Sequence, residues 1–138
     1  MKNYYVDMLR LKPGDELVVP KSGWDIIQHH ALYIGYDHQG THWIIHNNVH
    51  TGVSLIKMDY FFAQVHKVNK VIRFTGTNAE RKALVQRALF RIGKAYDLIN
   101  YNCEHFTSEV KTGTASSTQV KAGVAFAGIL LLAAIFIE

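Results

Sequence analysis

Apolar positions follow two different periods along this chain. Up to about residue 74 they come in short runs separated by turn residues, the pattern of strands. Leu11-Lys12-Pro13-Gly14, followed by Asp15, reads as a turn feeding a strand at 16–19, with 20–23 as a loop. The strongest strand signal lies at 29–36, with Leu32, Tyr33 and Ile34 at its centre. Asp37-His38-Gln39-Gly40 then turns the chain into a partner strand at 43–46. A further strand at 53–56 follows a Thr51-Gly52 turn, and 70–74 is another short apolar run. Tyr60-Phe61-Phe62 is too short a run to choose between helix and strand.

Beyond residue 77 the period becomes helical. Thr77-Asn78-Ala79-Glu80 is a capping box, in which hydroxyl and carboxylate satisfy each other's backbone donors. Leu84, Val85, Ala88, Leu89 and Ile92 continue as one apolar stripe, which Gly93 ends. After a link at 96–101, Asn102 is a good N-cap for a second helix, running from Cys103 towards Val110 and stopping near Gly113. Strands followed by helices predict an α+β fold, an antiparallel sheet packed with helices. There is no internal repeat.

The tail has a different character. Residues 112–118 read as a linker or a loose helix start, and 122–137 contain no charged or strongly polar side chain. As a helix that segment spans about 24 Å against a hydrocarbon core of roughly 30 Å, and Lys121 and Glu138 can snorkel to lengthen it. A helix apolar all round is hard to bury in so small a domain. The pattern therefore divides the chain into a folded domain at 1–114 and a linker with a C-terminal hydrophobic membrane-anchor helix at 115–138. Lys111 and Lys121, on the domain side, place that domain in the cytosol by the positive-inside rule.

Composition narrows the partners. With 138 residues there is room for one domain and an appendage. The single cysteine excludes an internal disulfide and a Cys-rich metal site, and it fits a reducing compartment. The first residues lack an uninterrupted apolar stretch, so no secretory signal is expected. The net charge of +4 is moderate, and the densest basic group, Arg81, Lys82, Arg87, Arg91 and Lys94, is spread along one predicted helix. That reads as a solvated face, with no nucleic-acid site; the favoured charged partner is an anionic membrane surface.

Cys103 falls on the first turn of its helix, where free N–H groups and the dipole stabilise a thiolate. It shares a face with Phe106 and Val110, so the sulfur looks into the domain or a cleft, as a nucleophile or as an inert core thiol. A nucleophile needs a base, and eight histidines compete. His38 and His42 flank a turn and read as solvated, while His50 and His66 have no patterned context. His105 lies about 200° round the helix from Cys103. On the central strand His29 shares a face with Ala31 and Tyr33, and His30 with Leu32 and Ile34. The partner strand can set His46 beside the first, which would make a Cys-His-His constellation. His42, His46 and His50 recur every four residues, but the intervening sequence is not helical, so neither a metal nor another cofactor is expected.

Three blocks, in order, carry a family resemblance: Lys12-Pro13-Gly14-Asp15, His29-His30-Ala31-Leu32-Tyr33-Ile34-Gly35, and Asn102-Cys103-Glu104-His105-Phe106. They resemble the lecithin retinol acyltransferase family, and within it the HRAS-like suppressor group of phospholipase/acyltransferases. Gly93 and Tyr96 sit where that family has a glycine and a tyrosine, and Gln119-Val120 before an apolar segment resembles the group's tail. The resemblance implies a permuted, papain-like NlpC/P60 fold. It implies Cys103 as nucleophile, His29 as general base and His46 as the orienting histidine. It further implies acyl transfer from a glycerophospholipid to water, giving phospholipase A1/A2 activity, or to an amine or alcohol. The chain departs from the pattern where His30 replaces a tryptophan and where the 37–42 hairpin is longer. Two other readings compete: a cysteine peptidase or amidase of the NlpC/P60 type, and a non-catalytic, membrane-tethered interaction protein. A missing export signal weighs against the first, and intact Cys103, His29 and His46 weigh against the second.

Overall fold

The computed structural model describes residues 2–21, 24–65, 67–95 and 103–112. Its frame is one antiparallel sheet built from β1 (Glu16–Lys21), β2 (Trp24–Tyr36), β3 (His42–Asn48), β4 (Gly52–Lys57) and β5 (Lys70–Ile72), in the order β4-β3-β2-β1-β5. The central strand begins earlier than its apolar pattern suggests, and Pro20 and Lys21, expected in a loop at 20–23, belong to the β1–β2 ladder. Pro20 pairs with Gln28 beside a register irregularity, a place where a missing N–H is tolerated. The turn at 37–40 is as expected: Asp37 Oδ1 accepts from the N–H groups of Gln39 and Thr41, and Gly40 takes a positive φ of 79°.

Four helices complete the described structure. α1 (Tyr4–Leu9) has no residue in the core and was not legible as a periodic element. Asn3 caps it through Tyr5 and Val6, and Arg10 closes it in the left-handed region. α2 (Met58–Ala63) takes up the unassigned aromatic run and buries Met58, Phe61 and Phe62. α3 (Asn78–Phe90) starts on the expected capping box. It ends before Gly93, so Ile92, the last member of the expected stripe, is 41% exposed. α4 (Cys103–Thr112) buries Cys103, Phe106, Thr107 and Val110.

Period-two alternation sorts the core into two layers. On one face Leu32, Ile34, Ile45 and Val53 pack against Leu84, Val85 and Ala88 of α3 and Phe106 and Val110 of α4. On the other Leu17, Val19, Ala31, Tyr33 and Ile44 pack against Leu11 and the apolar side of α2. Each large side chain fully buried this way contributes roughly 1.5–3 kcal/mol.

Directional bonds tie the layers together. The Asp15 carboxylate accepts from the N–H groups of Lys12 and Phe74 and from Arg73 and Arg81, joining the start of β1 to the segment after β5 and to α3. The basic residues of α3 are therefore not simply a solvated face. Arg81 is held by Asp15 and the Pro13 carbonyl, Arg87 donates to the Val110 carbonyl at 2.7 Å, and Arg91 pairs with Glu109. After α3 the chain docks on β4, with Val53 N–H donating to the Lys94 carbonyl at 2.9 Å and Gly93 N–H to the Val53 carbonyl at 2.8 Å. The approach is so close that a Cβ on Gly52, whose φ is +68°, would lie 2.3 Å from the Lys94 oxygen.

The 96–101 link, the Asn102 cap, His66, the stop at Gly113 and the linker and anchor at 115–138 lie outside the described residues. Among the described residues no helix is long and apolar enough to cross a membrane.

Candidate active site

Strand β2 sends His29 and His30 to opposite faces. Ala31 pairs with His46 on β3, so His46 lies diagonally across from His29 on the α2 side of the sheet. The two rings meet: His29 Nε2 is 2.9 Å from His46 Nδ1, with ring centroids 5.1 Å apart and planes at 71°. Phe61 of α2 packs against both, at 6.4 and 6.1 Å. Its ring shields His46, which is 6% exposed. Burial pushes the His46 imidazolium down to a pKa of about 4, so this ring is neutral near pH 7. A neutral ring can accept at Nδ1 from a proton on His29 Nε2, and that arrangement leaves His29 Nδ1 with its lone pair. The pair opens on a cavity of about 360 Å³, whose lining includes Val19, Pro20, Phe61, Gln64 and Val65.

Cys103 is the first residue of α4 and is 6% exposed. Its sulfur lies 3.8 Å from the carbonyl oxygen of Gln28, the residue before His29. The ladder to β3 covers β2 from Ala31 onward, so this carbonyl lies beyond that ladder's end. The structure thus brings His29 and His46 together. It sets Cys103 beside the strand position preceding them, on a helix whose body covers the other face through Phe106 and Val110.

A family model for lecithin retinol acyltransferase matches residues 9–116, a stretch that holds the five described strands and α2 to α4. The chain belongs to the lecithin retinol acyltransferase family. No curated protein and no solved structure matches it. Membership supports an enzyme of the acyltransferase or phospholipase type.

For a lecithin retinol acyltransferase family member, two polar groups of this chain lie where its sequence pattern did not point. His30 Nδ1 sits 2.5 Å from Glu16 Oε2 on the α4 side of the sheet. Glu16 is 2% exposed, pairs with Lys111 of α4, and accepts from the Thr107 hydroxyl at 3.4 Å. Burial alone would raise its pKa; the bonds from His30 and Lys111 outweigh that and hold the carboxyl below its ordinary value. Glu16 opens a strand next to a buried aspartate, and an inward acid at that position was the available signal.

The second is His42, expected to be solvated but only 4% exposed. Its Nδ1 lies 2.7 Å from the Tyr33 hydroxyl, and its ring packs on Tyr36. The turn it flanks is exposed, but β3 begins at His42 itself, so the pleat turns this side chain inward. Burial, with Tyr36 nearby, pushes the Tyr33 phenol above its usual value. His38, His50 and His105 are exposed. Among the described residues no group of three or more histidine, cysteine or acidic side chains is placed to hold a metal.

Proposed function

We propose that this enzyme transfers an acyl group from a glycerophospholipid through an acyl-Cys103 intermediate. The observation that carries the reading is the 2.9 Å contact between His29 and His46, next to the strand position that the Cys103 sulfur touches. In the first step His29 Nδ1 takes the thiol proton, and the thiolate attacks the ester carbonyl carbon to form a C–S bond. The ester C–O bond then breaks, and the departing lysolipid oxygen takes the proton back from His29. In the second step water, an amine or an alcohol attacks the thioester and gives its proton to His29. The C–S bond breaks, and the thiolate leaves and is reprotonated. Throughout, His46 accepts from His29 Nε2–H, which fixes the tautomer and spreads the charge of the transient imidazolium. N–H groups on the first turn of α4 are available to the oxyanion.

A permuted NlpC/P60 framework suits this division of labour between histidine strands and a cysteine helix. The apolar segment at 122–137 suits a tether that holds the domain, on the cytosolic side, at the bilayer containing its substrate. The test is to incubate the full chain with phosphatidylcholine vesicles and measure intact mass. An adduct of one fatty-acyl group on Cys103 is expected, absent from Cys103→Ala together with turnover. Equal turnover by Cys103→Ala would overturn the proposal.

A further inference from the structure

Helix α4 carries Cys103, Thr107 and Lys111 at intervals of four, a single stripe. The stripe lies along the sheet: Cys103 touches the Gln28 carbonyl, while Thr107 and Lys111 both reach Glu16. Gln28 and His30 share the face of β2 that α4 covers, and His30 Nδ1 holds the same carboxylate. One buried side chain on β1 thus grips two successive turns of the helix and the strand beside it.

Arg87 of α3 also bonds the Val110 carbonyl, and Arg91 and Lys94, in the segment that follows α3, pair with Glu109. These bonds tie α4 to α3 and the segment after it, not to the sheet. Phe106 and Val110 bind α4 to the sheet by apolar contact, which is non-directional and tolerates small rotations. Stability gives weak reason for the ionic arrangement, because well-packed apolar groups often replace a buried ion pair at no loss. The titratable groups facing Glu16 are His30 from β2 and Lys111 from α4.

We propose that Glu16 is a positioning residue: with Thr107, Lys111 and His30 it fixes the rotation and height of α4 on the sheet, and so the aim of the Cys103 sulfur. The inference rests on Cys103 being the reacting group. Small displacements of such a group are expensive, since about 1 Å can cost on the order of 100-fold in rate.

The test uses variants on the helix side, which leave the sheet intact. Thr107→Val with Lys111→Met removes both grips, while Thr107→Ser with Lys111→Arg keeps them. Two readouts are followed at fixed pH: alkylation of Cys103 by iodoacetamide, and acyl transfer from phosphatidylcholine. The first variant is expected to alkylate and acylate about tenfold more slowly with KM unchanged, and the second to recover most of the rate. If the double change prevents folding, Lys111→Met alone serves, because that side chain is 28% exposed. Wild-type alkylation and kcat in the Val/Met variant, even with a lowered Tm, would overturn the proposal. Alkylation needs no lipid, so it reports on the helix even if the phospholipid reading fails; that reading stands or falls with Cys103→Ala.

Discussion

His29 and His30 are neighbours in the chain, yet the sheet gives them different chemistry. One faces a cavity and meets a second imidazole at 2.9 Å; the other lies beside a helix and meets a carboxylate at 2.5 Å. An imidazole bonded to a neutral imidazole can keep a lone pair for a proton in transit. An imidazole bonded to a carboxylate is held as a donor, and its bond fastens structure. Strand alternation alone makes the division, so the pairing partner and not the residue type decides which histidine is suited to the proposed role of base.

The largest effect expected from this contrast is kinetic. A general base contributes about 100- to 10,000-fold, so His29→Gln should slow acylation of Cys103 roughly 1,000-fold. His30→Gln can still bond Glu16 and should cost about threefold, the scale of a disturbed positioning contact rather than a lost base. Single-turnover acylation with phosphatidylcholine vesicles measures both. The reverse ranking would move the base to the α4 side of the sheet and dissolve the distinction.

The features legible in the sequence are those with local causes. The α3 capping box lies within four residues and was readable as such. The His29–His46 pair followed from alternation and one hairpin, since the exposed turn at 37–40 fixes which strand returns beside β2. What escaped depends on distant partners. Asp15 reads as part of a turn, but its role comes from Arg73, Phe74 and Arg81. Glu16 reads as a strand residue until α4 brings Thr107 and Lys111 to it. α1 is too short to show a period.

Acid should separate the two faces as well. His46 has a folded pKa of about 4 against an ordinary 6.5, so below pH 6.5 the unfolded chain binds a proton that the folded one refuses. Stability on this account is complete above pH 6.5 and falls between 6.5 and 4, by roughly 3 kcal/mol in all. Glu16 behaves differently: its carboxyl is held below 4.5, so its contribution persists above that value and is lost only as pH falls further. Urea unfolding at a series of pH values should show His46→Asn flattening the slope between 6.5 and 4. Glu16→Gln should leave that slope alone, lower stability by a constant amount above 4.5, and remove the further fall below 4.5. An unchanged slope in His46→Asn would mean that the buried histidine face is not what limits acid stability.

The smallest effect separates structural from chemical histidines on one face. Tyr33 and His42 are 2% and 4% exposed and 2.7 Å apart, on the same side of β2 as His29. Tyr33→Phe keeps the ring and removes one hydroxyl, so His42 Nδ1 loses that partner at a buried site. Losing a buried hydrogen bond in this way costs about 1–2 kcal/mol, read as a shift in the urea midpoint with the m-value unchanged. Acylation per folded molecule should stay at the wild-type level, because the pair acts on packing around Tyr36 and not on the His29 tautomer. A fall in acylation matching a His46 variant would join Tyr33 and His42 to the His29–His46 pair as one network. The functional boundary would then lie between the two faces and not within one of them.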